Sequence, residues 1–404
     1  MPMPTDSLAT PEREPSPPPP ASAASAGMPT RMPARMRRFF LRVWPVIALL
    51  HLYIGAQLLP AYGLAGRFVG GAFLVASTLL IPAGFLSRFR EGGRWDLVAW
   101  AGFLDLGLFS STLVFTLLRE ILLLLPDTGH LERPSAIIVP AAALLVSLIG
   151  LINARRVARV VDVRVPIPDL PSELEGFTIV QISDIHVGPT IKAGHVRAIV
   201  DRVNALEPDL VAVTGDVVDG QVRQLREHTA PLGELKARHG AWLVTGNHEY
   251  YSGAAQWVEE FERLGLRCLL NEHAVLEHRG ARLVLAGVTD LQGQAFDPAH
   301  RSDPFKALQA SPEGLPRILL AHQPRSSAEA ALAGFDLQLS GHTHGGQFWP
   351  WNHFVGLQQP FTAGLHRVGR LQVYVSRGTG YWGPPKRLGA PSEITRIRLA
   401  AAQA

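Results

Sequence analysis

The hydropathy of the chain divides it into two unlike halves. Long apolar stretches recur at about 43–61, 67–87, 97–118 and 135–154. Each approaches the ~20 residues that an α-helix needs to cross the hydrocarbon core of a bilayer. From about residue 160 the apolar runs shorten to strand length. Val161–Val165, Phe177–Ile182, Leu210–Thr214, Ala241–Thr245, Leu283–Gly287, Ile318–Leu320, Leu337–Leu339, Leu371–Val375 and Ile394–Arg398 predict β-strands. Helical periodicity is predicted near 193–206, 221–238, 254–264 and 325–333. Strands apolar on both faces that alternate with helices predict a layered α/β domain.

The organisation expected from this is a tail, a four-helix transmembrane region over 36–156 and an α/β domain over 160–400. Residues 1–35 are rich in Pro, Ala and Ser, with the run Pro17–Pro20, and lack the large apolar groups of a core. They read as disordered. Composition adds little except at the spans. Hydrophobic residues make up 47% of 404, and mean hydropathy is +0.14; the excess lies in the four apolar stretches. Asp105, inside the third, reads as a polar packing contact between helices.

Net charge is only +4, so the placement of Arg is more informative than the total. Arg31, Arg35, Arg37, Arg38 and Arg42 precede the first span. Arg88, Arg90 and Arg94 lie in the second loop, and Arg155, Arg156 and Arg159 follow the fourth span. The first loop has Arg67 alone, and the third offsets Arg119 and Arg133 with Glu120, Asp127 and Glu132. The bias of positive charge toward the cytoplasm predicts a multi-pass protein of a bacterial-type inner (cell) membrane, with both ends and the α/β domain in the cytoplasm. The alternative is the exported side, because Arg37-Arg38-Phe-Phe-Leu-Arg42 resembles a twin-arginine export signal. No dense Lys/Arg run marks 160–400, so no nucleic-acid partner is expected. The single cysteine, Cys268, excludes an intrachain disulfide and a thiolate metal cluster, and reads as buried and apolar.

Candidate chemistry is concentrated in five places: Asp184-Ile-His186, Gly215-Asp216-Val-Val-Asp219, Gly246-Asn247-His248-Glu249, His322 and Gly341-His342-Thr-His344-Gly-Gly. Each falls at the C-terminal end of a predicted strand or just beyond it, where the loops of an open α/β sheet converge on one crevice. Together they supply enough oxygen and nitrogen ligands for two adjacent divalent cations. In extended backbone, His342 and His344 would point to the same side and reach neighbouring ions. Asp219 is expected to orient a histidine or to cap the following helix. Glu249 either positions His248 or is solvated, and Asp290 is a further supporting candidate. Arg377 and Arg387 are candidates for a phosphate contact. The aromatic run Phe348-Trp-Pro-Trp-Asn-His-Phe354, with Tyr381-Trp382, reads as a lid or as an interfacial element.

In this order the motifs resemble the calcineurin-like metallophosphoesterase superfamily. Within it the chain resembles the membrane-associated bacterial YkuE/YaeI-like branch related to UDP-2,3-diacylglucosamine hydrolases. The likeness covers about residues 160–400 and implies a four-layer α/β/β/α sandwich behind the transmembrane region. It also implies Asp184, His186 and His344 on one ion, Asn247, His322 and His342 on a second, and Asp216 bridging them. The ions would be Mn, Fe or Zn. His248 resembles the proton-donating histidine of the family. The implied reaction is hydrolysis of a phosphodiester or pyrophosphate by a hydroxide that bridges the metals. With four spans beside the site, the expected partners are the lipid bilayer and an amphiphilic phosphoester of lipid or nucleotide-lipid type. The alternatives are a phosphatase or nuclease with a soluble substrate on the same fold, and a non-catalytic membrane sensor or scaffold.

Overall fold

The computed structural model describes residues 34–87, 90 and 92–402. Residues 1–33, the bulk of the expected disordered tail, lie outside the described residues, as does Arg88; Ala34 and Arg35 already belong to the first helix. Helices α1 (Ala34–Leu58), α2 (Leu64–Ser87), α3 (Gly93–Leu123) and α4 (Glu132–Arg155) occupy the four apolar stretches. All four are long and apolar enough to cross a membrane, so this is a membrane protein. Their outward faces carry large apolar side chains such as Leu52, Phe68, Ile121 and Ile138, as lipid-facing helices must. Helix α3 is the best covered of the four, because loops of the following domain pack along it. Asp105 is buried on α3, near His51 and Ser77 of the first two helices.

Two six-stranded sheets follow. Their strands are β1 (Arg159–Ile167), β2 (Thr178–Ile182), β3 (Leu210–Val213), β4 (Ala241–Leu243), β5 (Arg267–Cys268) and β6 (Glu272–His278). The chain continues with β7 (Ala281–Gly287), β8 (Arg317–Leu320), β9 (Leu337–Ser340), β10 (Gly364–Val368), β11 (Leu371–Val375) and β12 (Glu393–Ala401). One sheet has the order β1-β12-β2-β3-β4-β5 and the other β10-β11-β9-β8-β7-β6. Strands β2 to β5 run parallel, as do β7, β8, β9 and β11. The helices of this domain are α5 (Ala193–Asn204), α6 (Val222–Thr229), α7 (Asn247–Ser252), α8 (Ala254–Arg263), α9 (Pro304–Ala307) and α10 (Ser327–Ala333).

Side-chain alternation along the strands builds the layers. Ile179, Leu210 and Ala212 meet Leu285, Ile318 and Leu337 between the two sheets. Their neighbours Val180, Val211 and Val213 point the other way, onto Val196 and Ile199 of α5 and Trp257 and Phe261 of α8. On the far side, Leu319 and Val373 pack with Ala307 of α9 and Ala330 of α10. The result is the expected α/β/β/α sandwich, in which each fully buried Val, Leu or Ile contributes about 1.5–3 kcal/mol. Cys268 is buried in the first of these cores, and burial pushes its thiol up to about 12.

All nine predicted strands form. Missed were β5, β6 and β10, which are short or carry alternating charge at sheet margins, where apolar periodicity is weak. The helix expected over 221–238 stops at Thr229, because Pro231 and Gly233 follow and the chain tightens into a 3₁₀ turn. Helix α7, on the Gly246–Glu249 motif itself, is one and a half turns long and too short to show a helical period.

Candidate metal centre

The loops after β2, β3 and β4 of one sheet and after β8 and β9 of the other converge at a single crevice. Within it Asp184, His186 and His344 gather with their ligand atoms inside 4.8 Å of one another, and so do Asp216, His322 and His342. A third such group, His186, Asp216 and His248, overlaps both. Asp216 Oδ2 lies 3.2 Å from His322 Nε2 and 3.9 Å from both His186 Nε2 and His248 Nε2. His186 Nε2 faces His344 Nε2 at 3.0 Å, and His342 Nδ1 faces His322 Nε2 at 3.2 Å. Imidazole nitrogens converging pairwise at such distances, with carboxylates between them, are what a divalent cation requires.

Asn247 supplies an independent check of fit. Its Oδ1 is buried and has no hydrogen-bond partner. An orphaned buried acceptor costs about 1–3 kcal/mol, a cost that a cation beside it would remove. His322 tells the same story through its charge. Burial opposes protonation there, but the Asp216 carboxylate prevails and raises its pKa well above the usual imidazole value. The Asp216 carboxylate thus favours a positive charge at His322, the kind of field a cation between them would also meet.

The backbone at these residues is unusual. Asp184 (φ 54°), His186 (φ 56°), Asp216 (φ 52°), His342 (φ 71°) and His344 (φ 51°) all adopt the left-handed region, at roughly 1–3 kcal/mol each. The extended backbone expected for His342 and His344 is thus corrected: a left-handed turn sends the two rings to different groups. The turn is held by His342 N–H donating to Asp184 Oδ1 (3.0 Å) and Oδ2 (3.1 Å). Gly341 permits that approach, since a Cβ there would lie 2.2 Å from Asp184 Oδ2.

The supporting carboxylates have distinct tasks. Asp219 Oδ1 lies 2.5 Å from His248 Nδ1 and 3.2 Å from His186 Nδ1. Burial pushes its pKa up, but the two imidazoles outweigh this and hold it well below the ordinary carboxylate range. Asp290 accepts from the Gln323 amide (2.9 Å) and the Gln292 N–H (2.8 Å), and so braces the neighbour of His322 without touching a ring. Glu249 is neither solvated nor against the His248 side chain. It is fully buried, and its oxygens accept from the N–H groups of Gly246 (2.7 Å), Asp216 (2.9 Å), Val217 (2.8 Å) and Val218 (3.3 Å). Two loops of the crevice are thereby tied to one carboxylate. Glu249→Ala is expected to cost at least ~3 kcal/mol in orphaned donors, or roughly 6–12 °C in Tm at this domain size. A thermal melt of the purified variant checks this.

Sequence reasoning missed two contacts to the histidines. The Thr214 carbonyl accepts from His322 Nδ1 at 2.7 Å, a backbone contact with no side-chain signature. Arg387 was a candidate for phosphate, but it is wholly buried and its guanidinium is spent within the fold. Nη1 donates to the carbonyls of His344 and Arg377 (both 2.8 Å), and Nη2 faces His344 Nδ1 at 3.0 Å. Arg377 pairs with Glu393 at 2.9 Å.

Residues 177–346 match the model of the calcineurin-like phosphoesterase family. A "Transmembrane protein with metallophosphoesterase domain" of Danio rerio is 41% identical over 64% of this chain and 61% of its own. A metallophosphoesterase of Aquifex aeolicus is 34% identical over 57% of this chain and 87% of its own. The metallophosphoesterase YkuE of Bacillus subtilis is 30% identical, with 57% and 81% covered. The chain spans less than two thirds of the Danio rerio relative, but more than four fifths of both bacterial ones. With the motifs in order, the sandwich fold and the histidine–carboxylate crevice, the chain belongs to the calcineurin-like metallophosphoesterases, a family that works with divalent metals.

Proposed function

We propose that residues 160–400 form a phosphodiesterase or pyrophosphatase unit acting on an amphiphilic phosphoester at the cytoplasmic face, with residues 36–156 as its membrane anchor. Asp184, His186 and His344 would hold one ion, of Mn, Fe or Zn, and Asn247, His322 and His342 a second, with Asp216 shared between the two groups. When bound, the ions supply an activated water and offset charge on the phosphoryl oxygens. The chain does the rest. Asp219 holds His248 through Nδ1, which leaves Nε2 directed at the crevice to deliver a proton to the departing oxygen.

The observation that carries the substrate class is a run of aromatic contacts from His248 to the membrane helices. The His248 ring lies 5.8 Å from Trp382 and 5.3 Å from Tyr251, and Trp382 lies 6.4 Å from Phe85 near the end of α2. A group leaving beside His248 would meet indole and phenyl faces at headgroup level, where Trp and Tyr favour the membrane interface. The Arg-rich flanks at residues 31–42, 88–94 and 155–159 support the cytoplasmic orientation.

The test uses purified protein in detergent with Mn²⁺ or chelator, offered bis-p-nitrophenyl phosphate, p-nitrophenyl phosphate and a lipid pyrophosphate. Chelator-sensitive cleavage is expected, with the lipid substrate preferred over both chromogenic esters. Equal turnover on the monoester and the lipid would argue against an amphiphile. No metal-dependent turnover on any of the three would overturn the enzymatic reading.

A further inference from the structure

Small residues line the seam between α3 and α4, and a lysine from the sandwich fills it. Lys386 Nζ lies 2.9 Å from the Gly107 carbonyl, 2.5 Å from Ser111 Oγ and 3.0 Å from Ser147 Oγ. None of these partners is a carboxylate. Its stem occupies the space a side chain at position 150 would need, since a Cβ on Gly150 would lie 2.5 Å from Lys386 Cγ. The Phe348 ring covers the ammonium at 5.2 Å. A lysine only 2% exposed, with each proton satisfied by an oxygen of the helices, is an anchor and not a solvated charge.

The next residue faces the other way. Arg387 N–H donates to the Gly150 carbonyl (2.9 Å), and its own carbonyl accepts from Asn153 Nδ2 (3.2 Å). Its guanidinium grips the carbonyl and ring of His344, and Nε donates to Gly380 O at 3.1 Å. Two consecutive residues thus join the α3–α4 seam to one metal-binding side chain. We propose that Lys386 and Arg387 form a strap through which the packing of α3 on α4 positions His344, so that the membrane helices are part of the scaffold of the metal centre. Both act as positioning residues. The inference rests on the reading of His344 as a ligand.

Four variants of the full-length protein in detergent test the strap, with Mn²⁺ affinity and stoichiometry measured by equilibrium dialysis beside kcat and KM on bis-p-nitrophenyl phosphate. Lys386→Met keeps the stem and removes the polar head. Gly150→Leu expels the stem from the helix side. Asp96→Asn breaks a different contact between helices and sandwich, the 3.1 Å pair with Lys192, and leaves the strap intact. His344→Ala is the reference for loss of the ligand itself. Lys386→Met and Gly150→Leu are expected to weaken one Mn²⁺ by about 10–100-fold, the usual effect of losing support behind a ligand. In both, kcat should fall with KM nearly unchanged, and Asp96→Asn should match the wild type. Wild-type Mn²⁺ affinity in Lys386→Met, with metal lost in His344→Ala, overturns the strap alone. Undiminished Mn²⁺ binding in His344→Ala overturns the ligand reading beneath it. An equal loss in Asp96→Asn would assign the effect to docking in general and also overturn the strap. If Gly150→Leu does not fold, Lys386→Met decides.

Discussion

Asp216→Asn is expected to abolish measurable turnover, with a fall in kcat well beyond ~10²-fold. That floor follows from the smaller perturbation of removing a hydrogen-bond partner behind a ligand, itself worth 10–100-fold. Asp216 is the one residue common to the group on His322 and His342 and the group on His186 and His248. Its Oδ2 is the oxygen that faces the imidazoles. The amide keeps one neutral oxygen and replaces the other with donors that repel a cation. The substitution is otherwise mild. Asn tolerates the left-handed backbone at this position, and its Oδ1 can still accept the His248 N–H that now donates at 2.9 Å. Metal content and kcat should therefore fall together, while in chelator, where neither protein holds ions, the two melting curves should nearly coincide. Full activity with bound metal in this variant would dismantle the proposed centre.

His248→Ala is expected to behave differently. Its ring joins the crevice from α7, and its Nδ1 is occupied by Asp219. Loss of a positioned proton donor costs about 10²–10⁴-fold in the catalysed step, whereas the two groups that hold the ions remain whole. The size of the loss should depend on what departs. An alkyl or sugar-linked oxygen needs the proton, so the full deficit is expected with such a diester. The p-nitrophenolate group leaves without one, so bis-p-nitrophenyl phosphate should show a much smaller deficit. The measurement is kcat on both diesters at saturating Mn²⁺. The same deficit on both would remove the proton-donor role and point to His248 as a ligand, which the His186–Asp216–His248 grouping also permits.

Much of this was legible in the chain because its chemistry sits at strand ends. Apolar runs such as Phe177–Ile182 and Leu210–Thr214 mark their own C-termini, and the motif after each needs only the loop rule to be brought to one crevice. What was not legible depends on contacts far apart in sequence. Glu249 reads as positioning His248 or as solvated, yet it holds backbone from residues 216–218. The left-handed turn at His342 is held by the Asp184 carboxylate, far along the chain, which accepts its N–H. The aromatic segment 348–354 offered two readings, a lid on its own domain or an interfacial element. In the structure it lies against a membrane helix: Trp351 Nε1 donates to Ser110 Oγ at 2.8 Å, and Trp349 lies 6.1 Å from Phe115. Lys386 left a faint trace, as one of only four lysines in a chain whose basic residues are nearly all arginine. Nothing in its neighbours shows that it enters a helix seam.

The two proposed ligand groups each draw from both sheets: Asp184, His186 and Asp216 from the loops of one, His322, His342 and His344 from the loops of the other. Between the sheets the interface is mostly apolar, with a few buried hydrogen bonds across it such as Gln181 to the Ser340 carbonyl (2.9 Å) and Tyr374 to Glu393 (2.8 Å). Ions held at the crevice as proposed would act as rivets at one end of that interface. Their binding free energy adds directly to the resistance of the two half-domains to shear, by an amount that grows with the logarithm of free ion concentration. On the proposed ligand set, the supply of metal is therefore also a mechanical variable.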